Sequence, residues 1–198
     1  AAAVKIENAE ANVRLIDCVG FVTDGAVGFE EDGKPRLVNT PWSENPLPFK
    51  EAAALGTERV IKDHSTVGVL VTTDGSIADI PRKGYEQAEE RTVKCLKDIG
   101  KPFVIVLNCA DPASAAARAL KTELEAKYGI TVIAVNCEKI EKDGLLDILK
   151  AILFEFPVAS FDVNIPEWMR YLSPDCTAVN ELLERVRAVA PKICRMKD

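Results

Sequence analysis

The aspartate at the end of the first apolar run is the position that points most directly to chemistry. Asp17 follows the apolar run at residues 13–16, and Gly20 lies three residues further on, which gives the spacing Asp-x-x-Gly. A carboxylate at the end of a strand can reach Mg²⁺, usually through a water, and a glycine amide beside it can contact a nucleotide's terminal phosphate. A strand-terminal aspartate is also common as a turn residue, so the spacing alone leaves both roles open.

Other apolar runs also end in polar side chains of the kind that surround nucleotides. Thr73 lies in the sequence TTDGS, Asn108 and Asp111 frame the sequence NCAD, and Asn136 follows the last apolar run. Asn-Lys-x-Asp is the guanine-reading form of NCAD, and because the lysine is missing, guanine specificity is not expected. We treat these four residues as candidate cofactor-binding residues, although each also fits a turn or a helix cap, most clearly Asp111 before Pro112.

The glycine-rich loop that grips phosphates in P-loop hydrolases is missing from these 198 residues. No GxxxxGK[ST] sequence occurs, although the amides and lysine of that loop hold the β- and γ-phosphates. If Asp17 reaches Mg²⁺ as proposed, we expect the phosphate-binding loop and its strand to lie upstream of Ala1. We therefore expect this fragment alone to be inactive. The lost central strand predicts an unpaired edge beside the Asp17 strand, with strand swapping, dimerisation or poor order there.

The elements that must position these residues alternate between strands and helices. Runs that are apolar at every position predict strands covered on both faces, as in a parallel sheet between helices. The sequence therefore predicts an α/β fold with a three-layer core and a mostly parallel sheet. The predicted strands are at 13–16, 67–71, 103–107 and 131–135, and the predicted helices are at 50–63, 85–99, 113–128 and 144–154.

The domain organisation follows from the two places where this alternation stops. Residues 21–49 are rich in glycine and proline and predict a hairpin excursion. After Pro157 the pattern changes to a short extended piece, a turn and an amphipathic helix. We therefore predict a first domain at 1–157, truncated at its N-terminus, and the beginning of a second domain at 158–198.

Composition excludes several classes of partner and location. The net charge of −6 disfavours nucleic acid, because nucleic-acid binders present a basic face. No apolar stretch approaches the roughly 20 residues of a membrane span, so no transmembrane segment is expected. Six widely spaced cysteines without a CxxC pair predict reduced thiols, and hence a cytoplasmic protein.

Several longer strings resemble one family. They are LIDCVG, GAVG and TPW, DHSTVGVLVTTDGS at 63–76, EERT at 89–92 and GKPFVIVLN at 100–108. The chain resembles the stage IV sporulation protein A family, the spore-coat morphogenetic ATPases of endospore-forming bacteria, from about residue 13 to residue 157. The 14-residue string at 63–76 is far more specific than any single P-loop motif.

The resemblance implies an ATPase related to translation-factor GTPases, with ATP and Mg²⁺ as cofactors and Asp17 as the Walker B carboxylate. It implies that hydrolysis drives self-assembly into the coat basement layer, in the mother-cell cytoplasm at the outer forespore membrane surface. The implied partners are further copies of the protein, a small amphipathic membrane-anchoring peptide and other spore-coat proteins. Two alternatives stay open: a non-catalytic scaffold or docking module for coat assembly, and a GTP-binding switch protein.

Overall fold

Short antiparallel hairpins precede a series of alternating helices and strands. The structure, a computed structural model, describes residues 2–6, 9–31, 33–173 and 175–198. The strands are β1 (Ala2–Ile6), β2 (Ala9–Val13), β3 (Glu30–Glu31), β4 (Lys34–Pro35), β5 (Leu37–Thr40), β6 (Ser43–Pro48), β7 (Gly68–Thr73), β8 (Phe103–Asn108) and β9 (Val132–Val135). The helices are α1 (Phe49–Arg59), continued by a π-helical turn (Val60–His64), α2 (Lys83–Ile99), α3 (Ala115–Tyr128), α4 (Lys142–Phe154) and α5 (Thr177–Val189). The chain divides into two compact units, Ala1–Ile152 and Leu153–Asp198.

β7, β8 and β9 form a parallel sheet with β8 in the middle. Residues 103–107 of β8 are at most 3% exposed, which requires cover on both faces because successive side chains point to opposite sides. Phe103, Ile105 and Leu107 pack in one core cluster with residues of α2 and α3. The predictions of a parallel sheet and of strands at 67–71, 103–107 and 131–135 are confirmed.

The predicted strand at 13–16 is wrong. β2 ends at Val13 and pairs antiparallel with β1, and the chain from Arg14 to Gly20 has no strand structure. A strand needs a neighbour for its backbone amides and carbonyls, and here Val13 is engaged by the hairpin instead. Leu15 is 89% exposed, so its apolar side chain is not buried in a sheet. The apolar run predicted a strand, but residues 14–16 have no neighbouring strand to pair with in the structure.

The four predicted helices at 50–63, 85–99, 113–128 and 144–154 are confirmed, with ends that differ by at most two residues when the π-helical turn is counted with α1. Gly100 and Gly129 follow α2 and α3 in the left-handed conformation, as expected for glycines that end helices. The predicted N-cap at Asp111 is wrong. Ser114 caps α3, and its hydroxyl accepts from the amide of Ala117 at 3.1 Å. Asp111 instead accepts from the amide of Ala113 at 3.0 Å, which makes an Asx turn one step before the helix.

Residues 21–49 contain two antiparallel hairpins, β3–β4 and β5–β6. The segment before them is attached to α2. The amide of Asp24 donates to the carbonyl of Gly84 at 2.9 Å, and the guanidinium of Arg91 lies 4.2 Å from the centre of the Phe21 ring. The Lys50 ammonium of α1 lies 4.1 Å from the centre of the Phe29 ring.

The second unit contains a short 3₁₀ helix (Glu167–Tyr171), then α5 and a further 3₁₀ turn (Ala190–Lys192). Glu155 is 3% exposed and forms ion pairs with Arg195 at 2.5 Å and Lys197 at 2.6 Å. These pairs and an isolated antiparallel bridge between Pro157 and Arg195 connect the two ends of the unit. Across the part of the chain that the structure describes, no helix has the length and apolarity needed to cross a membrane.

Candidate functional site

The carboxyl ends of β7, β8 and β9 lie side by side. Thr73 pairs with Asn108, and Asn108 pairs with Val135, so that Asn136 follows at the same level. Parallel strands present all their carboxyl ends at one edge of a sheet, where α/β proteins bind ligands. The structure therefore brings together the predicted residues Thr73, Asn108 and Asn136.

Hydrogen bonds join the three loops at this edge. The amide of Ala110 donates to the Ser76 hydroxyl at 2.9 Å, which ties the β8 loop to the β7 loop. The Asn136 amide group donates to the carbonyl of Ala110 at 3.0 Å, and the amide of Cys137 donates to Asn108 Oδ1 at 2.9 Å. The two asparagines thus hold neighbouring loops in register. Their assignment to a cofactor stays a prediction.

The TTDGS loop after β7 is held by its own side chains. The amide of Gly75 donates to Thr73 Oγ1 at 3.1 Å, and both the amide and hydroxyl of Ser76 donate to Asp74 Oδ1, at 2.9 and 2.5 Å. Gly75 has a φ of +88°, which a side chain would strain. The loop is therefore a fixed turn, as a hydrogen-bonded Asp-Gly turn requires.

Asp17 and Gly20 lie on a segment without helix or strand structure, beside β7. Asp17 is exposed, and its Oδ1 accepts from the amide of Cys18 at 2.9 Å. Gly20 has a φ of +80°, and nothing lies within 4 Å of the position that a Cβ would take. The segment thus carries an exposed carboxylate and a glycine in the left-handed region, and their assignment to Mg²⁺ and phosphate stays a prediction.

A cavity of about 380 Å³ separates this segment from β7. Its lining includes residues 16–21, five consecutive residues of β7, 68–72, and residues of α1, the π-helical turn and α2. Consecutive residues alternate in direction, so a cavity that touches all five runs along the strand edge and not over one face. In the described chain, β7 is an outer strand of its sheet. Val71, in the middle of this edge, is 59% exposed.

The cavity separates the predicted residues into two groups. Asp17 and Gly20 line it together with Thr72, whereas Thr73, Asn108, Asp111 and Asn136 do not. Within the described residues, no group of three or more histidine, cysteine, aspartate or glutamate side chains could hold a metal ion. Asp17 can therefore supply one carboxylate ligand, and a complete magnesium site needs further oxygen atoms from nucleotide, water or other protein segments.

The structure contains a buried ionic network that the sequence motifs did not predict. Glu89 is 2% exposed, and its Oε1 accepts from Arg82 Nη2 and from the Tyr128 hydroxyl, both at 2.8 Å. Arg82 Nη1 lies 2.7 Å from Glu89 Oε2 and donates to Thr72 Oγ1 at 3.0 Å. The network links the end of β7 to α2 and to the end of α3, beside the cavity that Glu89 also lines.

Hydrogen bonding favours the ionised forms of Glu89 and Arg82 despite their burial. Burial acts to raise the pKa of Glu89, but hydrogen bonds from Arg82, Thr72 and Tyr128 outweigh it and hold that pKa below its ordinary value. Burial also acts to lower the pKa of Arg82, and its pairing with Glu89 raises it instead. Burial and the neighbouring Glu89 raise the pKa of Tyr128 to about 12, so its hydroxyl stays a donor at neutral pH.

One signal in the sequence could have indicated this network. Glu89 lies four residues before Val93 and seven before Leu96, which places it on the buried apolar face of α2. A glutamate on such a face needs a buried cationic partner. Finding Arg82 as that partner depends on the turn before α2, which spacing alone does not define.

Comparisons with known proteins agree on one family. The sequence profile described as "Stage IV sporulation protein A, ATPase domain" matches residues 1–157. Among curated proteins, stage IV sporulation protein A of Bacillus anthracis is 43% identical over 192 residues, and that of Bacillus subtilis is 42% identical over 189 residues. The protein of that name in Clostridioides difficile is 40% identical over 186 residues.

The matched relatives are much longer than this chain. The alignments cover 97%, 96% and 94% of the chain but only 39%, 38% and 38% of the three relatives. No solved structure matches.

Proposed function

This chain belongs to the stage IV sporulation protein A ATPase-domain family, and we propose that it forms the part of a sporulation ATPase that contributes to the Mg²⁺ site. The observation that carries the proposal is the arrangement along β7. An Asp-x-x-Gly segment and the free edge of a parallel strand face each other across a cavity, and no GxxxxGK[ST] sequence occurs in the chain.

We propose that Asp17 holds Mg²⁺ through a water and that Gly20 responds to the terminal phosphate of ATP. The residues present could supply part of a Mg²⁺ site, and their chemistry suits that ion. A carboxylate oxygen is a ligand that Mg²⁺ accepts, and Asp17 is exposed and hydrogen-bonded to the protein through Oδ1. Mg²⁺ would neutralise phosphate charge during hydrolysis, and this chain's part would be to orient one carboxylate and one glycine amide toward it.

We propose that the glycine-rich phosphate-binding loop and the strand leading into it occupy the cavity beside β7 in the full-length protein. A parallel strand at this edge would pair the amides and carbonyls of β7 and cover Val69 and Val71, which are 43% and 59% exposed. It would also carry its loop to the carboxyl edge, beside Thr72 and Asp17. The relatives are long enough to provide such a segment outside the matched region.

We favour ATP over GTP as the nucleotide. The NCAD sequence lacks the lysine of the guanine-reading motif, and Asn108 Oδ1 is occupied by the amide of Cys137. Thr73, Asn108, Asp111 and Asn136 remain our candidates for contacts to the nucleotide. They lie at or just beyond the strand ends, on the side where a bound nucleotide is expected.

For the whole protein, we propose that hydrolysis drives self-assembly into the coat basement layer around the forespore. The expected location is the mother-cell cytoplasm, at the surface of the outer forespore membrane. The expected partners are further copies of the protein, a small amphipathic membrane-anchoring peptide and other spore-coat proteins. The family membership supports the sporulation role, and the resemblance stated above implies the assembly and its partners. Residues 158–198 would begin the domain that follows the ATPase domain.

The test of the catalytic proposal is ATP turnover and polymerisation by the full-length protein. We expect Asp17→Ala to abolish hydrolysis and polymerisation together. Asp63→Ala is the matched control, because Asp63 is an exposed carboxylate that pairs with Arg59 on the surface of the preceding helix. If Asp17→Ala leaves both activities intact, the assignment of Asp17 is wrong.

One observation favours a second candidate, a non-catalytic scaffold for coat assembly. Both candidate asparagines, Asn108 and Asn136, already hold neighbouring loops through hydrogen bonds. Polymerisation of the full-length protein without any nucleotide would support the scaffold. Turnover of GTP in preference to ATP would instead support a GTP-binding switch.

A further inference from the structure

The first turn of α2 touches two loops that the chain places far apart in sequence. On one side it contacts the end of β7 and the TTDGS loop, and on the other it contacts the segment that follows Gly20. The TTDGS loop carries Thr73, and the other segment directly follows Gly20. The first turn of α2 therefore contacts two parts of the chain that adjoin the proposed nucleotide site.

Arg82 holds the end of β7. Its Nη1 donates to Thr72 Oγ1 at 3.0 Å and reaches the carbonyl of Thr73 at 3.5 Å, while Glu89 neutralises its charge. Thr72 and Thr73 are 5% and 7% exposed, so these contacts are shielded from water. The planar guanidinium can contact a threonine and a carboxylate at once, which the single ammonium of a lysine does less well.

The TTDGS loop also packs directly on the backbone of Arg82. A Cβ on Gly75 would lie 2.8 Å from the Arg82 amide nitrogen, so only glycine allows this approach. Side-chain and backbone contacts therefore both fix the loop to the same residue.

The segment after Gly20 is attached two residues further along. The Asp24 amide donates to the carbonyl of Gly84 at 2.9 Å, and a Cβ on Gly84 would lie 2.5 Å from the Asp24 carbonyl oxygen. The amide of Gly84 donates to the carbonyl of Pro81 at 2.9 Å, which closes the turn that carries Arg82. Packed groups at such distances transmit a displacement because neither can yield without moving the other.

We propose that Arg82 is a positioning residue that couples the segment after Gly20 to the TTDGS loop through the first turn of α2. A shift of residues 21–24 moves Gly84, and the hydrogen-bonded turn carries Arg82 with it. Arg82 then moves the end of β7. The inference deepens the proposed function, on which its consequence for catalysis rests, whereas the coupling itself is a property of this chain.

The coupling is tested by disturbing one loop and observing the other. Gly84→Ala leaves residue 82 unsubstituted and places a Cβ 2.5 Å from the Asp24 carbonyl oxygen, which must move away; the Cβ also meets Cγ2 of Ile80 at 2.7 Å. Amide hydrogen exchange, followed by mass spectrometry on the 198-residue chain, reports on residues 21–26 and 72–76. We expect exchange to be faster in both segments by about tenfold, the effect of losing one hydrogen bond of ordinary strength. Faster exchange at 21–26 alone would overturn the proposal.

Two further variants separate coupling from general loss of structure. Gly144→Ala is the matched control, because its Cβ would meet only the flexible side chain of Ile140 at 2.9 Å. We expect it to leave both segments unchanged. Arg82→Lys keeps a positive charge for Glu89 but loses the forked contact, and we expect faster exchange at 21–26 while β8 stays protected. If amide exchange in β8 became faster by the same factor, Arg82 would only stabilise the fold as a whole, and the proposal would be overturned.

The link to catalysis is measured separately in the full-length protein. We expect Arg82→Lys to lower kcat for ATP by about tenfold while KM changes less than about twofold, since Arg82 acts through the loop and does not bind the nucleotide. Unchanged kcat would refute the positioning role. If the unsubstituted protein hydrolyses no ATP, the proposed function fails, but coupled exchange in the two loops would still establish the coupling.

Discussion

Replacing Tyr128 with phenylalanine removes one hydroxyl from the buried network and nothing else. Tyr128 is 8% exposed, and its hydroxyl donates at 2.8 Å to the carboxylate of Glu89, which is 2% exposed. A hydrogen bond to a charged group is worth about 1.5–3 kcal/mol. Glu89 keeps both contacts to Arg82, at 2.8 and 2.7 Å, so the loss should stay below the roughly 3–5 kcal/mol of breaking a buried ion pair.

The assay is urea unfolding of the 198-residue chain at pH 7, followed by tryptophan fluorescence in a Trp168→Phe background, which leaves Trp42 of the first unit as the reporter. We expect the Tyr128→Phe free energy of unfolding to fall by about 1.5–3 kcal/mol. Tyr171→Phe is the control, because Tyr171 is 83% exposed and should change stability by no more than about 0.5 kcal/mol.

The pH dependence gives this prediction a second readout. The pKa of Glu89 is lowered in the folded chain, so its stabilising contribution is present above the ordinary pKa of 4.5 and is lost as the pH falls through the folded pKa. Removing the Tyr128 hydroxyl reduces that lowering. The cost of Tyr128→Phe should therefore be full at pH 7 and shrink below about pH 4.5. A cost under about 0.5 kcal/mol at pH 7, or one that grows on acidification, would refute the account of the network.

Three further predictions concern the helix cap, the second unit and the thiols. Ser114→Ala should lower the free energy of unfolding by about 1 kcal/mol, more than Asp111→Ala does, because Ser114 is the N-cap; urea unfolding of both variants compares them. Glu155→Gln should destabilise the second unit by about 1–3 kcal/mol, less than the loss of a fully buried ion pair because Arg195 and Lys197 reach solvent; Trp168 fluorescence in a Trp42→Phe background reports it, and an unchanged urea midpoint would contradict it. Cys109, which is fully buried and whose pKa is raised by burial, should resist a thiol reagent that labels the exposed cysteines; equal labelling rates in the folded chain would contradict its burial.

The sequence was sufficient for the parts of the fold in which local pattern and burial agree. Residues 103–107 of β8 are all apolar and lie in the middle of the sheet, and Gly100 and Gly129 follow α2 and α3 in the left-handed conformation typical of glycines that end helices. Val13 shows the limit of this reasoning. Its neighbours form an apolar run of strand length, but a run becomes a strand only where a partner strand is available, and that depends on tertiary structure.

The convergence of three candidate residues could be predicted because the carboxyl ends of parallel strands meet at one edge of a sheet whatever their loops do. Thr73, Asn108 and Asn136 could therefore be grouped without a structure. The hydrogen bonds that occupy the two asparagines, and the pairing of Arg82 with Glu89, depend on loop conformations that no spacing encodes. The division of the site by a cavity along β7 also became visible only in three dimensions.

The most direct test of the central proposal is an experimental structure of the full-length protein with a non-hydrolysable ATP analogue and Mg²⁺. We predict that a strand leading into a glycine-rich phosphate loop pairs with β7 and fills the cavity beside Val69 and Val71. We also predict that the Asp17 carboxylate faces Mg²⁺ through a water. The proposal would be contradicted if the edge of β7 remained unpaired with nucleotide bound, or if the nucleotide lay away from Asp17 and Gly20.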